Sequence, residues 1–188
     1  MGRRYELKRR AERQEETRAR IVDAAIELHQ TIGPAATTVT EIAARAGVGR
    51  VTFYRHFTDE DDLARACSGH YFAQNPPPDP DAWLEIRDPR ERLEVALAEV
   101  YAYHRATERM FSHVLADARD HEVVEPYHAL WRRAGEVLMR GRPERGRRRA
   151  QPRAAIAVAL SFETWRTLVR EQGLGDAEAL EVALRLGL

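Results

Sequence analysis

The chain holds a single cysteine among its 188 residues, so no disulfide can form within it. Cys67 is expected to serve as a small, buried, unreactive side chain. No apolar run approaches the ~20 residues of a membrane-spanning helix. No apolar core follows the Arg-rich start, as a secretory signal would require, so the expected location is the cytoplasm. Alternating runs rich in Val, Ile and Thr are missing, which argues against a sheet. No unit recurs at a period of roughly 20–50 residues, which argues against a solenoid. Also missing are a Gly-rich phosphate loop, a serine nucleophile elbow, and the paired His and Glu spacings of helical metal enzymes. A metalloenzyme built on His104, His113, His121 and His128 with Asp117 or Asp120 is thus a weak competitor, and neither metal nor cofactor is expected.

Excess charge is missing too: 30 Lys and Arg balance 30 Asp and Glu. Bulk charge therefore predicts no nucleic-acid partner, and its distribution is more informative. Residues 1–57 carry 11 basic and 7 acidic side chains, a net of +4, which leaves −4 for the remainder. The excess comes from Arg3, Arg4, Lys8, Arg9, Arg10, Arg13, Arg18 and Arg20, set against four Glu. Such an arm could follow phosphates or enter a minor groove, remain a solvated tail, or extend the first helix. Lys8 is the one lysine among the 30 basic residues, a bias that suggests a GC-rich bacterial coding sequence.

What is present is helical periodicity. Ile21, Ala25, Leu28 and Ile32 give a stripe over about 12–31, ended by Gly33-Pro34. A helix begins near Asp59 and carries Leu63, Ala66 and Phe72. The run Asn75-Pro-Pro-Pro-Asp-Pro80 cannot continue it, so a boundary falls there, with domains at 1–75 and 76–188. Further helices are expected at about 89–107, 108–120, 123–140, 152–172 and 176–186, giving an all-α chain of about nine helices. The stretch Arg140-Gly-Arg-Pro-Glu-Arg-Gly-Arg-Arg-Arg149 holds six Arg and one Glu, and is expected to be a mobile charged loop.

The most informative segment is 37–57. Thr38 and Glu41 have the spacing of a capping box, so a helix starts near Val39. Ile42, Ala43 and Ala46 supply its apolar face, and Gly47 ends it. Val48 plugs the turn, Gly49 takes the next N-cap, and Arg50 to His56 form a second helix with Phe53 and Phe57 inward. Arg50, Val51, Thr52, Tyr54, Arg55 and His56 are left for the outer surface. A helix-turn-helix sets such a helix in the major groove. Arg50 can read guanine O6 and N7 for about 1–3 kcal/mol of discrimination. Val51 can pack on a thymine methyl, while Thr52, Tyr54 and His56 suit phosphate oxygens.

The block Ile21-Val-Asp-Ala-Ala-Ile-Glu-Leu, then Gly33, Thr38-Val-Thr-Glu-Ile-Ala, Ala46-Gly-Val and Thr52-Phe-Tyr-Arg-His-Phe57 resembles the N-terminal domain of TetR-family transcriptional regulators. The likeness covers roughly residues 15–70. It implies a three-helix DNA-binding domain followed by a larger helical domain for ligand and dimer contacts. Residue by residue it implies DNA contacts from Thr38, Thr40, Gly49, Arg50, Val51, Thr52, Tyr54 and His56. Two departures stand out. Gly49 replaces a frequent serine, and Glu60 replaces a frequent lysine within the acidic run Glu60, Asp61 and Asp62.

A regulator of this kind is expected to be a homodimeric repressor on a palindromic DNA operator, released by a small apolar or aromatic effector. The apolar faces of the last two helices offer Ile156, Leu160, Trp165, Leu168, Leu180 and Leu184 as its dimer interface. Tyr101, His104, Phe111, Tyr127, Trp131 and Trp165 are the candidate effector contacts, an aromatic set with a polar group. A regulator-like dimer that has lost DNA binding and acts through protein contacts is the alternative.

Overall fold

A computed structural model describes residues 2–118, 121–144 and 146–187. Among these the chain forms nine α-helices and no strand: α1 (Gly2–Thr31), α2 (Val39–Arg45), α3 (Arg50–His56), α4 (Glu60–Gln74), α5 (Pro89–Asp117), α6 (Glu125–Leu138), α7 (Ala150–Leu160), α8 (Phe162–Arg166) and α9 (Asp176–Gly187). They fall into two compact units. One comprises Met1–Asn75 with Arg109–Val124, the other Pro76–Glu108 with Glu125–Leu188.

In the first unit, α1 packs against α2 and α4, and α2 against α3. Its core is Ile21, Val22, Ala25 and Leu28 of α1, Ile42 and Ala43 of α2, Phe53 and Phe57, and Leu63, Cys67 and Tyr71 of α4. Full burial of a large apolar side chain here contributes about 1.5–3 kcal/mol. Ile32, expected on the α1 stripe, is exposed, because α1 stops at Thr31 and Gly33 turns the chain at φ 87°. The inward positions of α4 are Leu63, Cys67 and Tyr71, and the expected Ala66 and Phe72 are half-buried. Burial pushes the Cys67 thiol up to about 12, so it stays protonated and unreactive.

Helix α1 starts at Gly2 rather than near Glu12, so the basic arm is an extension of the first helix. No Gly or Pro interrupts residues 5–16, and Lys8 pairs with Glu12 one turn on, at 3.8 Å. These residues are all exposed. The side chains of Arg3 and Arg4 lie outside the described set.

The last turns of α5 complete this unit. Phe111 stacks edge-on to Tyr71 (6.2 Å) and lies 6.4 Å from Phe72. Asp117 Oδ2 accepts the Ala35 amide at 3.0 Å, tying the α1–α2 loop to α5.

In the second unit, two expectations from sequence are corrected. The helices expected at 89–107 and 108–120 are one helix, α5. Thr107 does not break it, because its hydroxyl is turned back onto the Tyr103 carbonyl at 2.7 Å and is satisfied inside the helix. Conversely, the helix expected at 152–172 is interrupted at Ser161, whose ψ of 144° ends α7 and caps α8. The Ser161 hydroxyl accepts the Thr164 amide at 3.1 Å. Helix α8 then runs into a single π turn, Thr167–Glu171.

Arginines of the stretch after α6 engage the backbone. The C-terminal carbonyls of a helix lack intrahelical donors, and here arginines supply them. Arg142 Nε donates to Leu138, Arg149 Nη2 to Met139 (3.4 Å) and Arg92 Nη1 to Arg140 (2.8 Å). Cations also oppose the negative end of the helix dipole. Arg145 lies outside the described residues. Buried Arg92 additionally donates to the carbonyls of Trp83 (3.1 Å) and Ile86 (2.9 Å), so one guanidinium joins the Ala82–Glu85 turn, the start of α5 and the end of α6.

Replacing Arg92 by Met keeps the stem and strands these carbonyls. Urea unfolding should then show a loss of about 3 kcal/mol, since bonds to a charged donor contribute about 1.5–3 kcal/mol each. A loss under about 1 kcal/mol would mean that water serves those carbonyls equally well.

Candidate functional site

The turn between α2 and α3 is set by backbone chemistry. Thr38 and Glu41 form the expected capping box: the Thr38 hydroxyl accepts the Glu41 amide (3.2 Å), and Glu41 Oε2 accepts the Thr38 amide (2.9 Å). The Thr38 hydroxyl, donating to Glu41 Oε2, and then the Thr38 amide lower the Glu41 pKa. At the other end Gly47, at φ 67°, closes α2. Its amide donates to Ala44 (3.2 Å) and the Val48 amide to Ala43 (2.9 Å), the paired bonds of a Schellman motif. Arg20 of α1 adds a bond to the Ala46 carbonyl at 3.3 Å.

Helix α3 starts from Gly49, which caps with its extended backbone and no side-chain oxygen. Phe53 and Phe57 are buried and lie 5.8 Å apart, and Arg18 of α1 stacks over Phe57 at 4.7 Å. With that face anchored, helical geometry turns Val51 and Arg55 outward. Val51 is 85% exposed. Arg50 and Arg55 are exposed, Tyr54 is about half exposed, and Thr52 and His56 are half-buried on the flank. Of the expected contacts, Thr40, Gly49, Arg50, Val51, Thr52, Tyr54 and His56 therefore reach the surface around one short helix. Thr38 is exposed, but its hydroxyl is spent on Glu41 at 2.7 Å. Arg55, left out of the expected contacts, lies one turn beyond Val51 with its guanidinium 3.4 Å from the Thr52 hydroxyl. The four-residue spacing from Val51 was the signal for it.

Burial lowers the His56 pKa, and repulsion from Arg55 and Arg18 adds to this against the opposing Glu15. His56 is thus suited to offer a neutral N–H rather than a charge. The acidic run sits in the first turn of α4, where it complements the helix dipole. Asp59 caps with a 2.7 Å bond to the Asp62 amide, and Asp61 pairs with His121 at 3.2 Å.

In the second unit, a separate aromatic cluster surrounds His104. Its imidazole is fully buried, with ring centres at 5.4 Å for Trp131, 5.5 Å for Phe162, 6.1 Å for Trp165 and 6.3 Å for Tyr101. Tyr127 adjoins Trp131 at 5.6 Å. Five of the six candidate effector contacts are thus gathered, while Phe111 belongs to the first unit. Tyr101 and His104 also repair the α7–α8 break. Tyr101 Oη donates to the Ala159 carbonyl at 3.2 Å, and His104 Nε2 to that of Leu160 at 2.9 Å. Desolvation lowers the His104 pKa to about 4.

Three of the expected dimer residues, Ile156, Leu160 and Trp165, are buried within the single chain and have no surface left for a second copy. Leu168, Leu180 and Leu184 remain half-buried, and Val158 and Leu186 are exposed nearby in sequence. Among the described residues no three His, Cys, Asp or Glu side chains assemble as a metal requires. His104 belongs to the second unit, and His113 and His121 to the first. Asp120 lies outside the described residues. No described helix is long and apolar enough to cross a membrane.

Residues 21–67 match the model of the family described as bacterial regulatory proteins, tetR family. The chain is 31% identical over 100 residues to the uncharacterized HTH-type transcriptional regulator TtgW of Pseudomonas putida, a match covering 53% of this chain and 72% of that one. To the HTH-type transcriptional regulator SrpR of Pseudomonas putida it is 32% identical over 101 residues, 54% of this chain. The match spans about half the length of SrpR, 46%. In structure it resembles a TetR-like transcriptional regulator from Rhodococcus sp. RHA1, with a TM-score of 0.57 at 16% identity over 91% of this chain and 93% of that one. At that identity the likeness concerns the fold alone.

Two outcomes follow from this geometry. Gly47→Ala should cost about 1–2 kcal/mol in unfolding free energy through backbone strain, since its added Cβ would meet only Arg20 Nη1 at 3.9 Å. Asn should recover part of the loss, and an unchanged Ala variant would contradict the left-handed turn. His104 is held neutral in the folded chain, whereas an unfolded imidazole protonates near 6.5. Its contribution is therefore complete above pH 6.5 and lost as pH falls towards 4. Its slope is at most about 1.4 kcal/mol per pH unit. Urea midpoints across that window should lose this component in His104→Phe, and an identical pH profile in both proteins would refute it.

Proposed function

This chain belongs to the TetR family of bacterial regulatory proteins, and we propose that within it the chain is a homodimeric repressor released from a palindromic operator by a small apolar or aromatic ligand. The observation that carries the DNA-binding reading is the outer face of α3. It bears Arg50, Val51, Tyr54 and Arg55 on a seven-residue helix whose other side is pinned by two buried phenylalanines. Among these donors Val51 offers an apolar contact. It makes sense against a thymine methyl, with Arg50 at a guanine edge beside it.

One α3 contacts only a few base pairs. Two copies related by a two-fold axis would set two such helices about 34–36 Å apart, in successive major grooves. Leu168, Leu180 and Leu184, with Val158 and Leu186, remain the apolar surface available for that pairing. The exposed N-terminal part of α1 adds basic side chains that suit phosphates and would steepen the salt dependence of binding. In such a regulator the cytoplasm is the place of action. The division into a DNA-binding domain at 1–75 and an effector and dimer domain at 76–188 belongs to the same reading, with the last turns of α5 as an added part of the first. Release requires that the effector bind the non-operator state more tightly than the operator state.

A specific feature keeps the DNA-independent reading as the competitor: Gly49 offers no cap hydroxyl, and three acidic residues open α4. Binding to sequences selected from a random pool decides between them, measured by fluorescence anisotropy at fixed salt. Arg50→Ala should relax preference at one position by about 1–3 kcal/mol, while Tyr54→Phe should weaken all sequences alike. Uniform loss in both would remove Arg50 from base reading. No enrichment by the parent protein would favour action through protein contacts.

A further inference from the structure

The cluster around His104 carries an unusual surplus of unused hydrogen-bonding groups. Nε2 faces the Leu160 carbonyl at 2.9 Å, and a carbonyl can only accept, so Nε2 bears the proton. The neutral ring then has a bare lone pair on Nδ1. That atom is fully buried and has no partner, as are the indole Nε1 groups of Trp131 and Trp165. Orphaned buried polar atoms are costly, and both indole rings lie against the imidazole, at 5.4 and 6.1 Å between ring centres.

The count of these groups specifies the chemistry of an occupant. One acceptor and two donors are open. A hydroxyl offers one donor and two acceptor lone pairs, which answers all three without remainder. A water would leave one of its own hydrogens unused. A carboxylate has no hydrogen for Nδ1, and its charge would be buried beside an uncharged imidazole. The flanking charges are already matched: Arg170 lies over the Trp165 ring at 5.6 Å and is held by Glu108 at 2.6 and 2.8 Å. The rest of the wall is aromatic, from Tyr101, Tyr127 and Phe162.

We propose that this cluster is the recognition site for a neutral hydroxylated aromatic, a phenol in chemical class. The hydroxyl donates to His104 Nδ1 and accepts from the indole N–H groups of Trp131 and Trp165, while its ring packs among the aromatic side chains. This rests on the effector-regulated reading above and adds the chemistry of the effector. The same imidazole holds the Leu160 carbonyl at the α7–α8 break, so an occupant on Nδ1 bears directly on that junction.

The test is calorimetric titration of the full chain at pH 7.5, without DNA, using phenol, toluene and benzoate. Phenol should bind saturably and at least about tenfold more tightly than toluene, the equivalent of one hydrogen bond of about 1.4 kcal/mol. Benzoate should bind no better than toluene. In His104→Phe the preference for phenol over toluene should vanish. Trp131→Phe, which leaves His104 and its carbonyl partner in place, should reduce it, so the assignment does not depend on one variant folding. Equal binding of phenol and toluene, preference for benzoate, or no saturable phenol binding would each overturn the proposal. Phenol binding that leaves protein–DNA affinity unchanged would uphold this site and instead contradict release of DNA by the effector.

Discussion

The left-handed backbone of Gly47 is the constraint on which the presentation of α3 depends. A seven-residue helix is too short to be stable alone. It persists because its entry is fixed by the turn at Gly47 and Val48 and its far face by Phe53 and Phe57. These restraints leave one rotational setting, in which Val51 and Arg55 face outward. The setting of the outer face of α3 therefore follows from a backbone dihedral and two buried rings. Arg20 on the Ala46 carbonyl and Arg18 over Phe57 brace both ends of the motif from α1.

The second unit answers a comparable problem with side chains instead of backbone. Ser161 interrupts what would have been one long helix, and two carbonyls lose their helical donors. Tyr101 and His104, three residues apart on α5, point at both. Meeting this demand fixes the His104 tautomer and leaves Nδ1 buried without a partner. In the proposed aromatic site, selectivity would thus arise from groups that repair a helix break. At the end of α6 arginines perform the same service, so two of the six Arg in that stretch are engaged with backbone carbonyls.

Local signals were legible in the sequence, and distant partners were not. The capping box, the Gly47 stop and the inward Phe53 and Phe57 could all be read because each acts within a few residues. The continuity of α5 was missed because Thr107 looks like a breaker until its hydroxyl is seen to fold back on its own helix. The break at Ser161 was hidden because an apolar pattern continues across it, and Ser161 lacks the acidic residue of a full capping box. The role of Arg92 could not be read at all, since its acceptors lie up to 48 positions away. Ile156, Leu160 and Trp165 were expected at a dimer surface because an apolar helix face does not reveal whether its own chain or a second one covers it.

The central claim is that α3 reads base edges as one half of a two-fold pair. It is tested most directly by a hydroxyl-radical footprint of the purified protein on DNA flanking its own gene, at a stated salt concentration. The account predicts two protected patches on one face of the duplex, centred about 34–36 Å apart and related by two-fold symmetry in the underlying sequence. A folded protein that gives a single asymmetric patch, or uniform protection independent of sequence, would contradict it.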